Sequence, residues 1–252
     1  MNAISILDIN IHTTSYSDAV QTIISWAEEA QSRMVATANV HMIMEAHDDP
    51  SFKTILNWAD LVTPDGMPLV WMLRRMGFPG QDRVYGPDLM LKVLVNARDA
   101  GLPVGFYGSK PQVLEALVNK MQDQFPGLHV VYAHSPPFYA QTAEESQRVV
   151  EEINASAPKI LFVALGCPKQ ERWIGEHRNK IKAVMIGVGA AFDIHAGTLR
   201  QAPSWMQKFG LEWFFRLMVE PRRLWKRYLY HNPRFIVLAI KQLGKTSLKL
   251  KA

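Results

Sequence analysis

Ile160-Leu-Phe-Val-Ala-Leu-Gly-Cys-Pro-Lys-Gln-Glu171 contains, in twelve residues, a β-rich apolar run, a turn of small residues and the polar opening of a helix. A strand with no polar positions is buried on both faces, and helices are what cover it. The same alternation recurs from residue 1 to about residue 195. Strands are expected at Ile4–Ile11, Met34–Ala38, Leu61–Thr63, Val104–Tyr107, His129–Ala133, Ile160–Ala164 and Ala183–Val188, with helices between most of them. Ser17 is placed to cap a helix through Ala30, because Ala19, Val20, Ile23, Ile24 and Ala27 recur at helical spacing. Asp88–Ala100, Gln112–Phe125 and Glu144–Ala155 carry the same period. The fold class is therefore α/β: a Rossmann-like, mostly parallel sheet flanked by helices.

Five strand ends run into small or polar residues: Thr37-Ala-Asn39, Thr63-Pro-Asp-Gly66, Tyr107-Gly-Ser109, Leu165-Gly-Cys-Pro168 and Gly187-Val-Gly189. Ligands of open α/β sheets bind outside the carboxyl ends of the strands. These loops are expected to share one rim and to define one cleft.

A chain of 252 residues buries one large core, alone or with an appendage. Its single cysteine, Cys167, excludes a disulfide framework, and the N-terminus has no signal-peptide pattern, so a reducing cytosol is the expected setting. The longest late apolar run, Phe235–Ile240, is far too short to span a bilayer.

The net charge of +5 conceals a division. Residues 200–252 hold twelve Lys/Arg against two Asp/Glu, which leaves residues 1–199 at −5. The basic tail also holds nine of the 25 aromatic residues, and it is expected to be helical, broken at Pro203, Pro221 and Pro233. Trp213, Leu217 and Leu224, with Trp225, Tyr228 and Leu229, form apolar stripes beside Arg216, Arg222, Arg223, Lys226 and Arg227. That pattern suits an anionic membrane surface, or else packs its aromatics on the main body with its charges solvated. Two parts are expected: 1–198, an α/β ligand-binding domain, and 199–252, a basic amphipathic helical appendage.

The motifs taken in order resemble the WecG/TagA/CpsF glycosyltransferases of bacterial surface-polysaccharide synthesis. The resemblance rests on Thr37-Ala-Asn39, Ala59–Val70, Arg83-Val-Tyr-Gly-Pro-Asp88, Phe106-Tyr-Gly108 and Ser135-Pro-Pro-Phe138. It continues through Val163–Glu171, Gly187–Asp193, Gly210-Leu-Glu-Trp213 and Glu220-Pro-Arg-Arg-Leu224. It implies transfer of a sugar from UDP to a polyprenyl-diphosphate-linked saccharide, with inversion and without a divalent metal or other cofactor. The sugar that the resemblance implies is N-acetylmannosamine, its uronic acid or a hexose such as glucose. It further implies a peripheral enzyme on the cytoplasmic face of the inner membrane, whose appendage helps to build the active site. One departure stands out: a segment that usually reads Lys-Arg-Ala-Pro is here Arg200-Gln-Ala-Pro203.

An inverting displacement needs a base for the acceptor hydroxyl. Asp65, in a turn at a strand's carboxyl end, aligns with the base proposed for the family; in the alternative reading it only closes a Pro-Asp-Gly turn on its own backbone. Thr37 and Asn39 either orient that carboxylate and bind acceptor hydroxyls or cap the loop. Arg83 suits a phosphate or sugar carboxylate, or else a surface ion pair with Asp82 or Asp88. Gly108, Gly166, Gln170, Glu171, Gly187 and Gly189 are the expected nucleotide-binding positions, and Asp193 either binds ribose or caps its turn. With no Asp-x-Asp to hold a metal, Arg216, Arg223 and Arg227 are the candidates for stabilising the departing diphosphate, unless they face lipid phosphates.

Other classes fit less well. A nucleic-acid-binding protein would use the basic aromatic tail but leave the rim motifs without a purpose. A dehydrogenase is disfavoured because Phe192 stands where a third glycine belongs. The eight histidines show no metal-like spacing, and His195 is a lone loop histidine. Exposed apolar tail residues leave room for a homo-oligomer.

Overall fold

The computed structural model describes residues 1–137, 139 and 141–249. Phe138, which closes the Ser135–Phe138 motif, and tail residues 250–252 lie outside the described residues.

Six strands form one parallel sheet: β3 (Arg33–Ala38), β4 (Leu61–Pro64), β5 (Val104–Gly108), β6 (Val130–His134), β7 (Ile160–Ala164) and β8 (Val184–Gly187). Their order is β4-β3-β8-β7-β5-β6. Within β7, Leu161 and Val163 enter one apolar cluster while Ile160, Phe162 and Ala164 enter another. Alternate side chains point to opposite faces, so a wholly apolar strand feeds two cores at once. Helices α1 (Tyr16–Glu28), α5 (Gly86–Asp99), α6 (Pro111–Gln124) and α9 (Ala191–Ala196) supply the second cluster. Helices α2 (Val40–Asp48), α3 (Pro50–Asn57), α4 (Met67–Arg75), α7 (Ala143–Ser156) and α8 (Lys169–His177) supply the first.

Three local expectations change. The segment Ile4–Ile11 is not one strand but a hairpin, β1 (Ala3–Ile6) and β2 (Ile9–His12). Its turn residues, Leu7 and Asp8, both take positive φ, the backbone that matches the twist of a tight hairpin. Helix α1 is capped by Ser15 rather than Ser17, because Ser15 and Asp18 satisfy each other's backbone N–H in a capping box.

The third change concerns the tail. α10 (Ser204–Lys208), α11 (Glu212–Val219) and α12 (Pro221–Lys249) begin next to Pro203 and at Pro221 as expected, but α12 runs straight through Pro233. An interior proline costs about 3 kcal/mol in a lone helix. Here the following turn is held from outside: Arg234 clasps Asp48 of α2 at 2.5 and 2.7 Å, and Phe235 is buried in the first core cluster with Ala239. Tertiary contact outweighs the local penalty.

Candidate active site

The carboxyl ends of β3, β4, β5, β7 and β8 face a cavity of about 1430 Å³, bounded on its far side by α11 and α12. Of the residues singled out from sequence, Thr37, Asn39, Asp65, Arg83, Gly166, Gln170, Gly189, Asp193, Arg216, Arg223 and Arg227 line it. Gly108, Glu171 and Gly187 stand behind the lining.

β3 and β4 pair in register, Thr37 beside Thr63 and Ala38 beside Pro64, which sets the Asn39 and Asp65 turns side by side. Asp65 is only 9% exposed. Its carboxylate does not bond its own turn: Oδ1 accepts from Arg83 at 3.0 Å and Oδ2 from the Gly86 amide at 3.2 Å. Arg83 also donates from Nε to the Asp65 carbonyl. Burial pushes the Asp65 pKa up to about 6; Arg83 pulls it down and Glu212 adds to the rise. At neutral pH it is therefore ionised, yet close enough to neutrality to take a proton.

The packing around this carboxylate leaves no slack. A Cβ on Gly86 would stand 3.1 Å from Thr37 Oγ1 and 3.3 Å from Asp65 Oδ2, so glycine is what allows α5 to present its first amide there. Thr37 donates its hydroxyl to the Gly187 carbonyl at 2.9 Å, and Asn39 caps α2 through the Met42 amide at 3.2 Å.

Arg83 is held from three sides. Besides Asp65 it meets Glu212 at 2.5 Å and lies over the Tyr85 ring at 3.9 Å. Burial works against its charge, but Asp65 and Glu212 outweigh that and fix the guanidinium as a cation. The expected surface pairs do not form: Asp82 meets Arg74, and Asp88 accepts from Tyr16. Glu212 was missed from sequence, as was Tyr85, whose hydroxyl donates to Glu212 at 3.1 Å. Glu212 lies 129 positions from Arg83, and no local pattern announces such a pairing.

Behind β7 and β8, Glu171 is fully buried and accepts from Gln170 at 2.6 Å. Burial raises its pKa to about 7, against the pull of that hydrogen bond. Gln170 in turn accepts from the Gly189 amide at 3.1 Å, tying the β7 and β8 loops together. A Cβ on Gly187 would press on Gln170 and Glu171. Gly108, at φ +126°, lies against the Ala164 backbone with no room for a side chain. Asp193 accepts through its carbonyl from the amides of Thr198 and Leu199, closing the turn after α9. His195 bonds the Pro87 carbonyl and serves packing.

The cations opposite Asp65 are only partly matched. Glu220 meets both Arg216, at 3.3 Å, and the exposed Arg223, at 2.8 Å. The Nε atoms of Arg216 and Arg227 are buried without a hydrogen-bond partner, and burial lowers the Arg227 pKa, with Arg216 and Arg223 lowering it further. Buried donors without acceptors are costly, and an anion would relieve them.

The glycosyl transferase WecG/TagA/CpsF family model matches residues 4–249. Among curated relatives, an N-acetylglucosaminyldiphosphoundecaprenol N-acetyl-beta-D-mannosaminyltransferase of Bacillus spizizenii is 31% identical over 234 residues, 92% of this chain and 88% of its own length. A protein of the same description from Bacillus subtilis is 30% identical over 235 residues, 93% of this chain and 88% of its own.

Proposed function

The chain belongs to the WecG/TagA/CpsF glycosyltransferase family, and from that premise we propose that it moves N-acetylmannosamine from UDP to a polyprenyl-diphosphate-linked N-acetylglucosamine. The names of the two Bacillus relatives support this sugar and this acceptor over a uronic acid or glucose. The observation that carries the reading is a buried carboxylate, Asp65, sharing a nucleotide-sized cavity with arginines whose buried donors lack partners.

Asp65 takes the acceptor's proton as its oxygen attacks the anomeric carbon in one inverting displacement. Arg83 and the Gly86 amide hold the carboxylate in place. Arg216, Arg223 and Arg227 meet the diphosphate as the glycosidic bond breaks, the task a divalent metal performs in other transferases. Thr37 and Asn39 fix the two turns beside Asp65, while Gln170 and the Gly166 and Gly189 loops hold the nucleotide.

We assign residues 1–198 to catalysis and 199–252 to an appendage that completes the site on an anionic membrane surface, at its cytoplasmic face. No helix among the described residues is long and apolar enough to cross a membrane. Among the described residues, thirteen of the seventeen exposed large apolar ones lie after Gly197, including Trp213, Phe214, Leu229 and Ile240. Such a patch beside basic residues suits lipid headgroups and acyl chains.

The test is a thermal-shift panel of UDP-sugars followed by transfer to a lipid-linked N-acetylglucosamine acceptor. UDP-N-acetylmannosamine should raise the melting temperature and support transfer. Indifference to every UDP-sugar would remove the reading, and preference for UDP-glucose would replace the sugar.

A further inference from the structure

A second polar cluster joins the α/β body to the last helix. His41 and Glu45 stand one turn apart on α2, and His231 meets them from α12. His231 Nε2 is 3.2 Å from Glu45 Oε1, and His41 Nδ1 is 3.6 Å from the same oxygen. One ligand atom from each residue lies within 4.8 Å of the others. The two rings meet edge to face at 5.2 Å, and their side chains are 11 and 8% exposed.

Unpartnered nitrogens make this cluster unusual. The Nδ1 atoms of His41 and His231 are both buried without a hydrogen-bond partner. His41 Nδ1 faces the Glu45 carboxylate from just beyond hydrogen-bond reach. A cation between the imidazoles and the carboxylate would satisfy both.

The spacing fits such an ion. Tetrahedral coordination with bonds of about 2.0–2.1 Å separates neighbouring ligand atoms by roughly 3.3 Å, and the observed 3.2 and 3.6 Å lie either side of that value. We propose that His41, Glu45 and His231 form a structural divalent-metal site that fastens α12 to α2. Two imidazoles and one carboxylate select zinc over magnesium or calcium, with a fourth position left for water. Arg227 lies near enough to weaken the ion's hold; Asp48 and Arg234 are bonded to each other and largely offset. The site's members escape a search for histidine spacing because two of them are one helical turn apart and the third comes from the far end of the chain.

The experiment uses the full chain, stripped with a chelator and dialysed. Calorimetric titration with Zn²⁺ should show one equivalent bound, and Co²⁺ should give the intense visible absorption of a tetrahedral complex. Zn²⁺ should raise the melting temperature, since it binds only the folded state. Glu45→Gln and His231→Asn should each weaken Zn²⁺ binding by at least about tenfold, the lower end of what loss of even an outer-shell partner causes. No Zn²⁺ binding by the wild type, or unchanged affinity in both variants, overturns the site. Should either variant fail to fold, the cobalt spectrum of the wild type decides: tetrahedral bands sustain the proposal, and their absence overturns it.

Discussion

In the sheet, Ile160–Ala164 are covered on both faces, and Asp60 answers Arg33 at 2.8 Å and Arg178 at 2.9 Å. In α11 and α12, Trp213, Phe214, Leu229 and Ile240 face solvent, and buried nitrogens of Arg216 and Arg227 have no partner. The first region answers these charges internally. The second holds surface and charge in a form that only something else satisfies. One cavity is walled by both, so a finished scaffold contributes the carboxylate and an unfinished one contributes the cations.

Asp65→Asn attacks the scaffold's side of that contrast and carries the largest expected effect. Turnover should fall by about 10² or more, with nucleotide affinity retained, since asparagine keeps the shape but accepts no proton. In the wild type, kcat/KM should rise with pH through about 6 and then level, because the base works only when deprotonated. A variant with wild-type turnover, or one that keeps the acid limb of the profile, removes Asp65 from the proton transfer.

Glu171→Gln asks whether the scaffold is as self-sufficient as it looks. The folded-state pKa of about 7 exceeds the ordinary 4.5, so the folded chain binds the extra proton. The stability this represents is fully present below about pH 4.5 and is lost as pH rises through about 7. The loss is on the order of 3 kcal/mol. Glutamine has no such loss, so denaturation midpoints of variant and wild type should diverge as pH rises from 5 to 8. Parallel curves would mean that Glu171 holds no proton.

Arg227→Ala and Arg223→Ala sharpen the contrast within the tail itself. Arg227 is half-buried and its buried Nε has no partner, whereas Arg223 is exposed and paired with Glu220. Loss of Arg227 should lower kcat by about 10², the scale seen when a transition-state donor is removed. Loss of Arg223 should cost a few-fold at most. Equal effects in steady-state kinetics would erase the distinction drawn between them.

The parallel sheet was legible because Ile160–Ala164 and its counterparts are short, apolar and regularly separated by helical periods. Asp65 was legible as a carboxylate at a strand end and Arg83 as a forked cation within a motif, and the structure joins them directly. What stayed hidden depends on distant partners. The hairpin turn at Leu7-Asp8 lacks the Asn-Gly or Asp-Gly pair that marks most such turns. Pro233 signals a break that only the Arg234 and Phe235 contacts override. Glu212 reaches Arg83 across 129 positions, and the His41 cluster draws on α12 in the same way.

Gln242, near the end of α12, accepts from the Leu7 amide at 2.9 Å and donates to the Ser5 carbonyl at 2.7 Å. The opening hairpin is thus buttoned by a residue 235 positions further along the chain. Contacts that span so much sequence repay their loop-closure entropy only late in folding. Loosening the hairpin should therefore loosen α12 and the cavity wall it forms, so a change in these two short strands reaches the catalyst through α12.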